Sequence, residues 1–159
     1  MINYTKLIFV CMDNHCQSPM AEAVMKNINR VEGLEISSRG LIVLFPEPYN
    51  PKACSLLMSN GIILENGQSK QLCEDDFGPE TLILTMNRDE KKKLLEDYDH
   101  AANVYTIMEF AGGSGDILDP YGADLDVYSM FLESIQMWVK QVEEILYQNS
   151  LESKEEETK

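Results

Sequence analysis

Short apolar runs alternate along this chain with segments whose apolar residues recur every three to four positions. Leu7-Ile8-Phe9-Val10 is apolar without a break and predicts a central strand over residues 5–11, buried on both faces. From residue 19 to 31 the period changes. Met20, Ala21, Val24, Met25, Ile28 and Val31 share one helical face, and Gly33 ends it. Residues 35–39 read as a short strand closed by Gly40. Residues 41–51 carry Pro46, Pro48 and Pro51 and read as loop, followed by a helix over 52–59 that stops at Asn60-Gly61. Residues 62–73 read as loop with a short extended piece, and 74–77 as one helical turn. A third strand is predicted at 81–86, a charged helix at 89–96 and a fourth strand at 103–107. Beyond the glycine-rich stretch 112–115, a long helix from about residue 124 buries Tyr128, Phe131, Leu132, Ile135, Val139 and Val142 on one face. The mostly charged residues 151–159 are expected to fray.

Strands alternating with helices imply an α/β fold with a parallel sheet and helices on both faces. Ligands of such sheets bind beyond the carboxyl ends of the strands. The first strand ends at Cys11, and Ser18-Pro19 has the form of a helix start, with Ser18 as cap and Pro19 at the first helical position. A strand, a tight loop and a helix N-terminus together make an anion site. Cys11 on its rim is expected to have a lowered thiol pKa, which makes it the candidate nucleophile; alternatively it is a small buried hydrophobe.

The chain of 159 residues fits one domain, and its formal net charge of −14 argues against non-specific nucleic-acid binding. No apolar run reaches membrane-spanning length and no leader pattern opens the sequence, so the expected compartment is the cytoplasm and no membrane partner is expected. Cys11, Cys16, Cys54 and Cys73 are read as thiols. Cys11, His15 and Cys16 lie too close in one tight loop to share a metal, and no second pair has zinc-site spacing, so neither metal nor other cofactor is expected. Nothing in the pattern bears on oligomeric state.

The stretch from Cys11 to Glu22 resembles the low-molecular-weight protein phosphatases, whose loop reads Cys, five residues, Arg and Ser/Thr, often continuing Pro-x-Ala-Glu. Asn14, Cys16, Ser18, Pro19, Ala21 and Glu22 stand as in that family. Among bacterial members the chain looks most like the protein-arginine phosphatase subgroup, especially from Ser114 through Tyr128. Two positions depart: Asp13 stands where the family has glycine, and Gln17 where it has arginine. The resemblance implies a flavodoxin-like three-layer fold, with four parallel strands in order 2-1-3-4, in a single domain over residues 1–149 with a charged tail at 150–159.

It further implies that Cys11 forms a phosphocysteine, that Asp119 in Asp-Pro-Tyr is general acid and then base, and that Ser18 donates a hydrogen bond to the thiolate. Met12, Asp13, Asn14, His15, Cys16 and Gln17 would form the phosphate loop, with Asn14 holding its shape and Cys16 able to pair reversibly with Cys11 under oxidation. Tyr121, Phe45 and Tyr49 are the expected pocket walls. The partner would be a phosphorylated protein or a small phosphomonoester.

Gln17 and Asp13 bear directly on that chemistry. An arginine grips phosphoryl oxygens with a planar two-pronged donor, and Gln17 offers one neutral amide at shorter reach. An inward-pointing Asp13 carboxylate about 6 Å from a phosphate charge would repel it by roughly 3 kcal/mol at an effective dielectric near 20. If the glycine it replaces has positive φ, Asp tolerates that conformation better than most residues. Protonation of His15 near neutral pH would return part of the missing positive charge. Two readings stand. One is a phosphatase for phosphotyrosine or phosphoarginine, slowed by Gln17; the other is an inactive pseudo-phosphatase that binds a phospho-ligand or a protein.

Overall fold

The computed structural model describes residues 2–65, 67–120 and 124–158. Four strands, β1 (Lys6–Cys11), β2 (Glu35–Gly40), β3 (Thr81–Thr85) and β4 (Val104–Thr106), form one sheet in the order β2-β1-β3-β4. All three pairings are parallel: Lys6 faces Glu35 on one side and Thr81 on the other, and Ile83 faces Val104. Around the sheet run α1 (Gln17–Ile28), α2 (Pro51–Ser59), α3 (Arg88–Asp97), the short α4 (Ile107–Phe110) and α5 (Leu125–Glu157).

The alternation of side chains along β1 builds the three layers. Leu7, Phe9 and Cys11 point into a core shared with Met20 and Val24 of α1 and with Ile135 and Val139 of α5. Ile8 and Val10 point the other way, into a smaller core with Leu94 of α3, Leu72 and Ile83. Because β1 and β3 are covered on both faces, their sequences are apolar throughout rather than alternating.

Several boundaries differ from expectation. Helix α1 begins at Gln17, so Cys16 is its cap residue and Ser18 its second residue; no side chain caps it. Pro19 occupies the third position, still within the first turn, where a missing N–H costs no helical hydrogen bond. The helix ends at Ile28 rather than at residue 31, where Asn29 turns extended and closes a local loop by accepting the Val31 N–H at 2.9 Å. Residue 107 is not strand: Thr106 accepts the Glu109 N–H at 3.0 Å and starts α4. The charged residues expected to fray continue α5 to Glu157, with Lys154 reaching Glu32 at 3.0 Å. Among the described residues, no helix is long and apolar enough to cross a membrane.

Candidate active site

The loop between β1 and α1 leaves the carboxyl edge of the sheet and is fastened at several points. Asn14 adopts a left-handed backbone conformation, φ 54°, which asparagine tolerates better than most side chains. Its buried amide donates to Ser18 Oγ and to Ser38 Oγ, each at 2.9 Å, and its Oδ1 accepts the Lys70 N–H at 2.9 Å. The left-handed residue of the loop is thus Asn14 and not Asp13, so Asp13 carries no such backbone demand. The carbonyls of Cys11, Met12 and His15 accept N–H groups of Leu41, Ile42 and Asn50 at 2.8–3.0 Å. Gly40 lies so near that a Cβ there would sit 2.8 Å from the Asp13 carbonyl carbon and 2.9 Å from the Asn14 nitrogen.

Cys11 ends β1 with its side chain 1% exposed, and Ser18 Oγ lies 2.9 Å from its Sγ. The lowered thiol pKa expected from the helix N-terminus is not what the structure gives. Burial pushes the Cys11 thiol up to about 11, and the charges of Glu90 and Asp13 add to the rise, while Ser18 donors pull against it. Desolvation of the thiolate outweighs the hydrogen bonds that Ser18 offers it. Cys16 is likewise pushed up to about 12, first by burial and then by Cys11, Asp119 and Asp13. All four cysteines are free thiols.

A cleft of about 440 Å³ opens over the loop. The loop supplies Met12, Asp13, His15, Cys16 and Gln17 to its wall. Asp13 turns inward enough for its Oδ1 to lie 4.0 Å from Cys11 Sγ, while accepting the His15 N–H at 3.2 Å. Gln17 Nε2 reaches across toward the Leu118 carbonyl at 3.4 Å, next to Asp119, which lines the same cleft. The structure therefore brings the Cys11 loop, Gln17 and Asp119 together. Phe45, 73% exposed, is not on this cleft's wall, and Tyr49 packs against Gly67 in a separate cleft with Cys54 and Met58. Tyr121 lies outside the described residues.

The remaining wall comes from the start of α3: Asn87, Asp89 and Glu90. Glu90 did not emerge from the sequence, although Asn87-x-x-Glu90 after a buried strand has capping-box spacing that could have marked it. Asn87 Oδ1 accepts the Glu90 N–H at 2.8 Å, and Glu90 Oε1 accepts the Met86 N–H at 3.0 Å. Glu90 is 3% exposed. Burial raises its carboxyl to about 7, against the pull of N–H donors from Met86, Asn87 and Met12, and the charge of Asp119 adds to the rise. Among the described residues, no group of three or more His, Cys, Asp or Glu side chains is placed to hold a metal ion.

A cysteine at the end of a parallel strand, a fastened loop and a facing aspartate are the geometry of a phosphate-handling site. The model of the low molecular weight phosphotyrosine protein phosphatases matches residues 6–155. The chain belongs to that family. It is 34% identical over 141 residues to the protein-arginine-phosphatase of Bacillus subtilis strain 168, covering 86% of this chain and 93% of the relative. It is 32% identical over 130 residues to the low molecular weight protein-tyrosine-phosphatase PtpB of Staphylococcus haemolyticus, covering 82% and 91%. Among solved structures it resembles a YwlE arginine phosphatase mutant in which serine replaces cysteine and the active site serine is phosphorylated. That match has 31% identity and a TM-score of 0.82, covering 89% of this chain and 95% of the other. The strand order β2-β1-β3-β4 with helices on both faces is thus the fold this phosphatase family shares.

Proposed function

We propose that this chain is a phosphatase of protein side chains, acting on phosphotyrosine or phosphoarginine through a phosphocysteine at Cys11. The observation that carries this reading is the single cleft bounded by the Cys11 loop on one side and Asp119 on the other. In the first step the Cys11 thiolate attacks phosphorus, the bond to the side-chain oxygen or nitrogen breaks, and Asp119 delivers a proton to the leaving group. In the second, water attacks the phosphocysteine, Asp119 takes its proton, and inorganic phosphate leaves as the thiolate is restored. A relative with a phosphorylated active site serine in place of cysteine supports phosphorylation at this position.

The site works slowly in this reading. With the thiol pushed up to about 11, only a small fraction of the protein carries the Cys11 thiolate at neutral pH. Gln17 supplies an amide where a guanidinium would stabilise equatorial oxygens, and losing a donor of that kind costs about 10²–10³ in rate. Ser18 and the α1 N-terminus remain to stabilise the thiolate, and Asn14 keeps the loop in shape.

A second reading, binding of a phosphorylated ligand without turnover, is favoured by the same raised Cys11 thiol and by Asp13 facing it at 4.0 Å. Hydrolysis of a generic aryl phosphate, with Cys11→Ser as control, separates the two. Turnover that disappears in Cys11→Ser is the expected result, and phosphotyrosine and phosphoarginine peptides compared next assign the substrate. Equal rates in both proteins would leave the binding reading.

A further inference from the structure

The cleft contains a buried carboxyl that the phosphatase steps above do not use. Glu90 projects from the first turn of α3 beneath the Cys11 loop, almost wholly out of solvent. Its carboxylate accepts the Met86 N–H at 3.0 Å, while its own N–H donates to Asn87 Oδ1 at 2.8 Å and fixes the helix start from which it projects. Met12, first after the nucleophile, lines the same cleft wall as Glu90. A phosphate loop holds oxyanions with backbone N–H groups. Glu90 sets the protein's own anion on the wall of the cleft over that loop.

The groups around it are mostly negative. Cys11 faces it from β1, Asp13 from the loop and Asp119 from the segment ahead of α5, and Asp89 shares the cleft from α3. His15 is the one cationic-capable side chain on the described cleft wall. Arg88 is turned away, held to Asp116 at 3.3 Å.

We propose that Glu90 is a proton-operated positioning residue of the loop. Ionised, its carboxylate sets a negative charge against Cys11 and the cleft that the loop lines. Protonated, it removes that charge and admits a dianionic oxyanion. This rests on the reading of the loop as an oxyanion site. Loss of one proton at Glu90 links to oxyanion affinity reciprocally: a bound dianion makes Glu90 harder to ionise. The device operates near neutral pH because burial places the carboxyl at about 7 rather than near its ordinary 4.5.

Sulfate is the suitable probe, because it stays a dianion from about pH 5.5 to 8.5 and its own protonation does not mask the protein's. Calorimetric sulfate affinity of the wild-type protein is expected to fall about tenfold across pH 7. In Glu90→Gln it is expected to hold its acid-side value, with no more than about a threefold residual slope. A Glu90→Gln protein that still loses the full tenfold overturns the proposal. So does one that binds weakly at every pH with an unchanged melting temperature, since the carboxyl would then only shape the loop. Carboxyl-carbon NMR of the wild-type protein needs no variant: one glutamate is expected to titrate near pH 7 and to shift upward with sulfate. Absence of any glutamate titrating above about pH 6 overturns the proposal outright. If sulfate binds neither protein at any pH while a glutamate does titrate near 7, the oxyanion reading of the loop fails and the proposal falls with it.

Discussion

Ser18 Oγ lies 2.9 Å from Cys11 Sγ, and the same hydroxyl accepts the Asn14 amide at 2.9 Å. The hydroxyl has one proton to give, which the Arg39 carbonyl at 3.4 Å and an ionised Cys11 at 2.9 Å compete for, and the charged thiolate is the stronger acceptor. Ser18 thereby links the loop's shape to the nucleophile's charge. Ser18→Ala is expected to raise the Cys11 thiol further and to leave the fold intact. Thiolate absorbance at about 240 nm, taken as the difference from Cys11→Ser, should show a midpoint near pH 11 in the wild-type protein and a higher one in Ser18→Ala.

Gln17→Arg is expected to restore what Gln17 lacks. The side chain already runs across the cleft toward Leu118, so a guanidinium there would stand between the Cys11 loop and the Asp119 segment. The Cys11 midpoint should fall and aryl phosphate turnover should rise by about 10²–10³. A variant with the lowered midpoint and no rate gain would place the remaining defect at Asp13 or Asp119.

Gly40→Ala tests the packing beneath the loop. The added methyl would meet backbone atoms of Asp13 and Asn14 at 2.8 and 2.9 Å, and backbone cannot rotate aside as a side chain can. A loss of about 1–3 kcal/mol is expected in denaturant unfolding, together with weaker oxyanion binding.

Glu90 gives a pH dependence of stability. Its folded-state pKa is raised, so the unfolded chain ionises first and rising pH favours unfolding. The penalty is absent below pH 4.5, grows as pH rises toward about 7 and is complete above it. A shift of that size corresponds to about 3 kcal/mol. Glu90→Gln carries no such charge, so its stability relative to wild type should improve by about that amount between pH 4 and pH 8, as read by denaturant titration at both.

The β1, β3 and α5 segments were legible because their cores are dictated by local pattern. Leu7 to Val10 is apolar on both faces because both faces are covered, and the period of α5 follows the apolar face it turns to the core beside α1. The end of α1 was not legible. Val31 keeps the apolar spacing and is buried, but Asn29 has already closed a loop of its own and the chain is no longer helical. The residues expected to fray were misjudged for a related reason. Their charges read as solvation, whereas in the folded chain Lys154 finds Glu32, which lies far away in sequence.

The sequence by itself determined the α/β alternation and the position of Cys11 at the end of the first strand, because periodicity and a contiguous loop motif are local properties of the chain; the strand order came only through the family that the motif resembles. It did not determine the electrostatics of the site. The sign of the Cys11 shift was decided by how completely the fold excludes water from the end of β1, and Glu90, remote in sequence and adjacent only after β1 and β3 pair, adds to it. Desolvation and Coulomb interactions depend on three-dimensional distance and burial, and no spacing along the chain encodes them.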